Sequence, residues 1–144
     1  MRIDYRRTFP QAAQALRQLD QVVGESSLEP GLVELVKIRA SQLNGCAYCL
    51  DLHTREACAA GESEQRIYVL SAWREASFYS PRERAALEWC ETLTLVGRSG
   101  APDDVFRRVA EQFSEEEVVA LTLAIVAING WNRFAVGLQR EVGR

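Results

Sequence analysis

The chain has 144 residues, 47% of them apolar and 26% charged, with a formal net charge of −3. That length sustains a hydrophobic core of its own, so one domain over residues 1–144 is expected. The acidic balance and the lack of a basic block leave no electrostatic footprint for nucleic acid.

At the N-terminus, Met1 to Tyr5 carries one basic residue, Arg2, with no apolar run behind it, unlike a signal peptide. The longest apolar segment, 118–130, is interrupted by Thr122 and Asn129 and suits a buried helix better than a membrane span. A cytoplasmic protein without a membrane partner is expected. Paired cysteines in that compartment are more often catalytic or metal-binding than structural.

Strand signals are nearly absent and helical periodicity dominates, so an all-α domain of about six to eight helices is predicted. Ala12, Ala15, Leu16, Leu19 and Val23 mark a first amphipathic helix over 8–23. Pro30 suits the first position of a second, running to about Leu43. Asn44 and Gly45 tolerate a left-handed backbone and break the chain before a third helix over 46–60. Gly61 ends that helix, and Ser63 is placed to cap a fourth over 64–76. Ser80-Pro81-Arg82-Glu83 is a capping box and opens a helix to about Val96. A loop at 97–101 and a short helix at 102–112 follow. A second capping box, Ser114 to Glu117, opens a long apolar helix, with 131–142 continuing it or re-entering as another.

The chemistry concentrates at Cys46, Cys49 and His53, the last being the only histidine in the chain. Offsets of 0, 3 and 7 put all three on one helical face. Thiols in the first turn of a helix meet unpaired backbone N–H groups and the positive end of the helix dipole, which favour thiolate. His53, one turn beyond Cys49, can accept or return the proton. If the second and third helices form an antiparallel hairpin, Glu34 lies nine residues before the turn, roughly 14 Å along the axis. His53 lies seven or eight residues after it, roughly 11 Å. Glu34 can therefore reach the imidazole and fix its tautomer.

Zinc is the main competitor, with Cys46, Cys49, His53 and Glu34 as ligands. Structural zinc sites usually bring a second Cys/His pair, and here Cys58 and Cys90 stand alone. Covalent haem needs histidine directly after CxxC, where this sequence has Leu50. Cys58, within Ala57-Cys58-Ala59-Ala60, and Cys90 read as small buried hydrophobes.

Glu34, the run Asn44-Gly45-Cys46-Ala47-Tyr48-Cys49 and His53 together resemble the AhpD-like alkylhydroperoxidases of the carboxymuconolactone decarboxylase superfamily. Their motif is a glutamate, eleven residues, CxxC, three residues and a histidine, and every element is present. Ala127 to Phe134 is similar to the family's second shared segment, so the likeness spans about residues 15–140. The resemblance implies an all-α fold, a homo-trimer or homo-hexamer, and a thiol-dependent hydroperoxidase or disulfide reductase acting in antioxidant defence. It implies that Cys49 attacks the hydroperoxide and becomes a sulfenic acid, and that Cys46 supplies a proton and then condenses to a Cys46–Cys49 disulfide. Glu34 and His53 would form the proton relay. No metal or organic cofactor is needed, only an external dithiol, of lipoyl or thioredoxin type. One position departs: the well-studied AhpD proteins carry a second histidine beside the second cysteine, and this sequence has Tyr48. That departure leaves a redox-responsive or zinc-binding interaction protein as the alternative.

Overall fold

The structure, a computed structural model, describes residues 1–143. Among them are nine α-helices, one 3₁₀ turn and no strand. Six helices have eight residues or more: α2 (Pro10–Gly24), α3 (Pro30–Asn44), α4 (Ala47–Ala59), α6 (Pro81–Thr94), α8 (Asp103–Ala110) and α9 (Glu115–Gly137). The other three, α1 (Tyr5–Thr8), α5 (Glu64–Tyr68) and α7 (Val96–Ser99), are little more than single turns.

The start signals act as their chemistry requires. Ser80 Oγ accepts from the Glu83 N–H at 3.1 Å, and the Glu83 carboxylate accepts from the Ser80 N–H at 2.8 Å. Ser114 and Glu117 repeat the exchange at 3.2 and 2.9 Å. Pro10 and Pro30 occupy first-turn positions, where no N–H is missed.

Two stretches differ from their predicted form. The fourth predicted helix stops at Tyr68, and Leu70–Ala72 forms a 3₁₀ turn. Ile67, Leu70 and Trp73 are all buried, and their spacing of three matches the three-residue period of a 3₁₀ turn better than 3.6. Ser63 makes no side-chain cap there, and its own backbone N–H donates to the Glu62 carboxylate. The predicted loop after α6 instead contains α7.

Helix α3 lies at the centre, packed against α4, α6 and α9, and its buried residues run almost all round it. One core cluster joins α3, α6, α8 and α9 around Val36, Trp89, Leu121 and Ile125. A second gathers Leu35, Ile38, Leu70, Trp73 and Leu87. A third, small cluster holds Cys46, Cys49 and Ala135. Helix α9 is the one described helix long and apolar enough, by length and composition, to cross a membrane. Its Leu121, Ala124, Ile125 and Ile128 are buried in the domain core. The residues after Asn129 continue α9 as far as Gly137.

Candidate active site

Gly45 carries the turn that makes the site possible. Its φ is +64°, a conformation in which a side chain would be strained, and the Cys46 N–H closes back on the Ser41 carbonyl at 3.0 Å. The chain therefore re-enters a helix at once, with Cys46 as the N-cap residue of α4. Its sulfur accepts from the Cys49 N–H at 3.3 Å. Cys46 and Cys49 are disulfide-bonded, with Cα atoms 5.3 Å apart.

A polar cluster anchors this junction to α9. Asn44 Nδ2 donates to Asn129 Oδ1 at 3.0 Å and to Asn132 Oδ1 at 2.8 Å, and Asn132, itself buried, donates to Ser41 Oγ at 3.0 Å. The Ala127 to Phe134 segment thus serves the site by holding the end of α3.

The hairpin brings Glu34 to His53 as the depth argument requires. Glu34 Oε2 is 3.0 Å from His53 Nδ1, and Glu56, one turn further along α4, approaches the same nitrogen at 3.3 Å. A carboxylate only accepts, so Nδ1 carries the proton and Nε2 is left as the basic nitrogen. Lys37 Nζ lies 3.3 Å from Glu34 and 3.8 Å from Asp20, and Asp20 accepts from Trp131 Nε1 at 2.7 Å. Burial works against ionisation of Glu34. The His53 hydrogen bond and the Lys37 charge outweigh it and hold the carboxyl below its ordinary value. Replacing Lys37 by methionine removes its share of that support and leaves only the His53 bond against burial, so the acidic limb of any rate that needs ionised Glu34 should move to higher pH. A pH–rate profile of K37M overlying that of the wild type would contradict this.

Cys49, Leu52, His53, Trp131, Ala135 and Arg140 help line a cavity of about 380 Å³. Cys46 opens instead on a separate depression beside Val136 and Gln139. Tyr48 and Arg140 border both. The Arg140 guanidinium lies 3.8 Å from the centre of the Tyr48 ring and donates to Tyr5 Oη at 3.0 Å. A Schellman turn at the end of α9 places it there. The Arg140 N–H reaches the Ala135 carbonyl at 2.8 Å, with Gln139 left-handed at φ +51°. A glutamine in that conformation costs about 1 kcal/mol.

Cys49 and His53 therefore share one cavity wall, with Glu34 behind the imidazole and Cys46 bonded to Cys49. The sequence also held a signal for Glu56, three residues after His53 on the same face. Lys37 had the matching offset from Glu34. Asp20, Tyr5 and Arg140 come from distant parts of the chain and gave none, whereas Trp131 lies within the Ala127 to Phe134 segment. Glu34, His53 and Glu56 offer donor atoms within 4.8 Å of one another. The imidazole and the Lys37 ammonium both meet Glu34, and the half-exposed Glu56 carboxylate faces solvent. Cys90 is buried, as expected, and burial pushes its thiol up to about 12. Cys58, expected in a helix interface, is exposed: it lies on the solvent side of α4, away from the face that buries Cys49, His53 and Ala57.

Residues 10–92 match the carboxymuconolactone decarboxylase family. The chain is 44% identical over 137 residues to the uncharacterized protein YdfG of Bacillus subtilis, covering 95% of this chain and 93% of that one. It superposes with a TM-score of 0.95 on ATU0492 of Agrobacterium tumefaciens. That protein is of unknown function and described as a candidate antioxidant defence protein AhpD; the match is 44% identical and covers 99% and 98% of the two chains. The debrominase Bmp8, 19% identical, shares the fold at a TM-score of 0.82 over 93% of this chain and 72% of its own.

Proposed function

From the premise that the chain belongs to the carboxymuconolactone decarboxylase family and is AhpD-like, we propose that it is a cytoplasmic thiol peroxidase that reduces hydroperoxides at Cys49. The observation that carries the reading is the shared cavity: Cys49 and His53 line it together, with His53 Nε2 left basic by the Glu34 contact. The Cys49 thiol passes its proton to His53, and the thiolate attacks the outer peroxide oxygen. The O–O bond breaks, Cys49 becomes a sulfenic acid, and the alkoxide takes the proton from His53.

Cys46 then attacks the Cys49 sulfur. The S–S bond forms, and the hydroxide leaves as water with the proton that the Cys46 thiol gives up. The capping position of Cys46 favours its thiolate, which suits both this attack and its departure when an external dithiol restores the pair. Reductant entering through the Cys49 cavity would attack Cys49 and release Cys46 as the stabilised leaving group. The exposed Val22, Val119 and Val126 offer apolar surface for the trimer or hexamer that the family resemblance implies.

The test is a hydroperoxide assay with dithiothreitol as reductant, beside a thiol count. Peroxide consumption should equal dithiol oxidation. Without reductant, one peroxide should consume two of the four thiols of the reduced chain. Unchanged thiols, or peroxide loss no faster than the protein-free blank, would reject the proposal. Stoichiometric zinc in the purified protein would favour the binding-protein alternative.

A further inference from the structure

Five arginines are half-buried: Arg39, Arg66, Arg82, Arg84 and Arg140. The first three meet carboxylates, at 2.8 Å from Glu91, 2.6 Å from Glu83 and 2.6 Å from Glu117 respectively. Arg84 donates to the carbonyls of Trp73, Arg74 and Ala76. Arg140 alone among the five has neither arrangement in the described residues. Of its five N–H donors, one is used, on the Tyr5 hydroxyl, and the guanidinium rests on the Tyr48 ring. The left-handed turn at Gln139 holds it in that place, at the wall of the Cys49 cavity.

The charge around that cavity is also unbalanced. Lys37 lies between Glu34 and Asp20, at 3.3 and 3.8 Å, and Glu56 reaches the His53 ring at 3.3 Å. Arg6 and Arg17 line the same cavity with no carboxylate partner among the described residues. Four cations, Arg6, Arg17, Lys37 and Arg140, thus line the cavity against two carboxylates, Asp20 and Glu56, in a chain whose net charge is −3. The walls between them are apolar or aromatic: Leu52, Trp131, Ala135 and Tyr48.

We infer that the Cys49 cavity selects a carboxylate-bearing substrate, with Arg140 as the anion anchor and the apolar walls holding the body of the molecule. A guanidinium presents a planar fork of donors that matches a carboxylate, and stacking on Tyr48 fixes the plane of that fork in advance. In the peroxidase reading, on which the identity of the substrate rests, this is an organic hydroperoxide with a free carboxylate. The same anchor would serve a carboxylate on the dithiol.

Reduced protein is first alkylated with iodoacetate and, separately, with iodoacetamide, and the adducts are read at Cys49 by peptide mass spectrometry. This arm needs no peroxidase activity. Exposed Cys58 gives the reference ratio within the same molecule. The iodoacetate-to-iodoacetamide ratio at Cys49 should exceed that at Cys58 by roughly tenfold at low salt. It should fall with ionic strength, collapse in R140Q and recover in part in R140K. Equal ratios at the two cysteines, or an R140Q ratio like the wild type, would overturn the anchor.

The second arm compares a carboxylate-bearing organic hydroperoxide with its methyl ester, using dithiothreitol. The third compares dihydrolipoate with dihydrolipoamide, using cumene hydroperoxide. Preference for the acid in the second arm places the anion on the oxidant, and in the third arm on the reductant. Equal kcat/KM in both pairs overturns the selectivity. No turnover of any peroxide, with the alkylation bias intact, rejects the peroxidase reading and leaves the anion site standing.

Discussion

Cys49→Ser should abolish hydroperoxide turnover, by roughly a thousandfold or more, while Cys46→Ser should complete one turnover and stop. The two sulfurs are bonded to each other but look out differently. Cys49 lines one cavity with His53, and Cys46 caps α4 and opens on the other side. A peroxide in the cavity that holds His53 meets Cys49 first. Without Cys46 the sulfenic acid has no thiol beside it: Cys58 is on the exposed side of α4, and Cys90 is buried in a different core cluster from Cys49. Stopped-flow mixing of C46S with one equivalent of hydroperoxide should therefore show a burst of one equivalent, trapped by dimedone at residue 49. A burst in C49S and none in C46S would reverse the assignment and make Cys46 the attacking thiol.

The fold was readable because its punctuation is strong. Two serine capping boxes, two prolines at helix starts and Asn44-Gly45 all stand where the structure uses them. The Glu34–His53 contact was readable for a different reason. A hairpin of two helices converts residue number into depth at a fixed rise, so counts on either side of the turn place two side chains at one level. The same reasoning cannot reach Arg140. Its approach to Tyr48 depends on where α9 ends, on a left-handed glutamine that no composition rule anticipates, and on Tyr5 from the other end of the chain. The second half of the 64–76 stretch misled for a simpler reason. Ile67, Leu70, Trp73 and Ala76 repeat every three residues, and a sequence with that period is amphipathic as a 3₁₀ turn as well as nearly so as an α-helix.

His53→Gln should lower kcat/KM for hydroperoxide by roughly 10² to 10⁴, the range removed with a general acid–base group. Glutamine keeps a polar end near Glu34 and Glu56 but has no nitrogen that takes and returns a proton. Two steps need that nitrogen: loss of the Cys49 proton and its delivery to the departing alkoxide. Glu34→Gln should cost less, because the amide still accepts from Nδ1–H and the imidazole survives in the same tautomer; only the carboxylate charge is lost. The pair should be strongly non-additive, since Glu34 acts through His53 and has nothing to orient once the imidazole is gone. E34Q/H53Q should therefore turn over no more slowly than H53Q alone. The pH profiles distinguish this from a folding defect. In H53Q the reaction should speed up as alkaline pH ionises Cys49 directly, closing much of the gap to the wild type, whereas misfolded protein would not recover. Wild-type kcat/KM in H53Q at neutral pH would remove His53 from the mechanism, and additive losses in the double variant would show that Glu34 acts on the reaction by a route of its own.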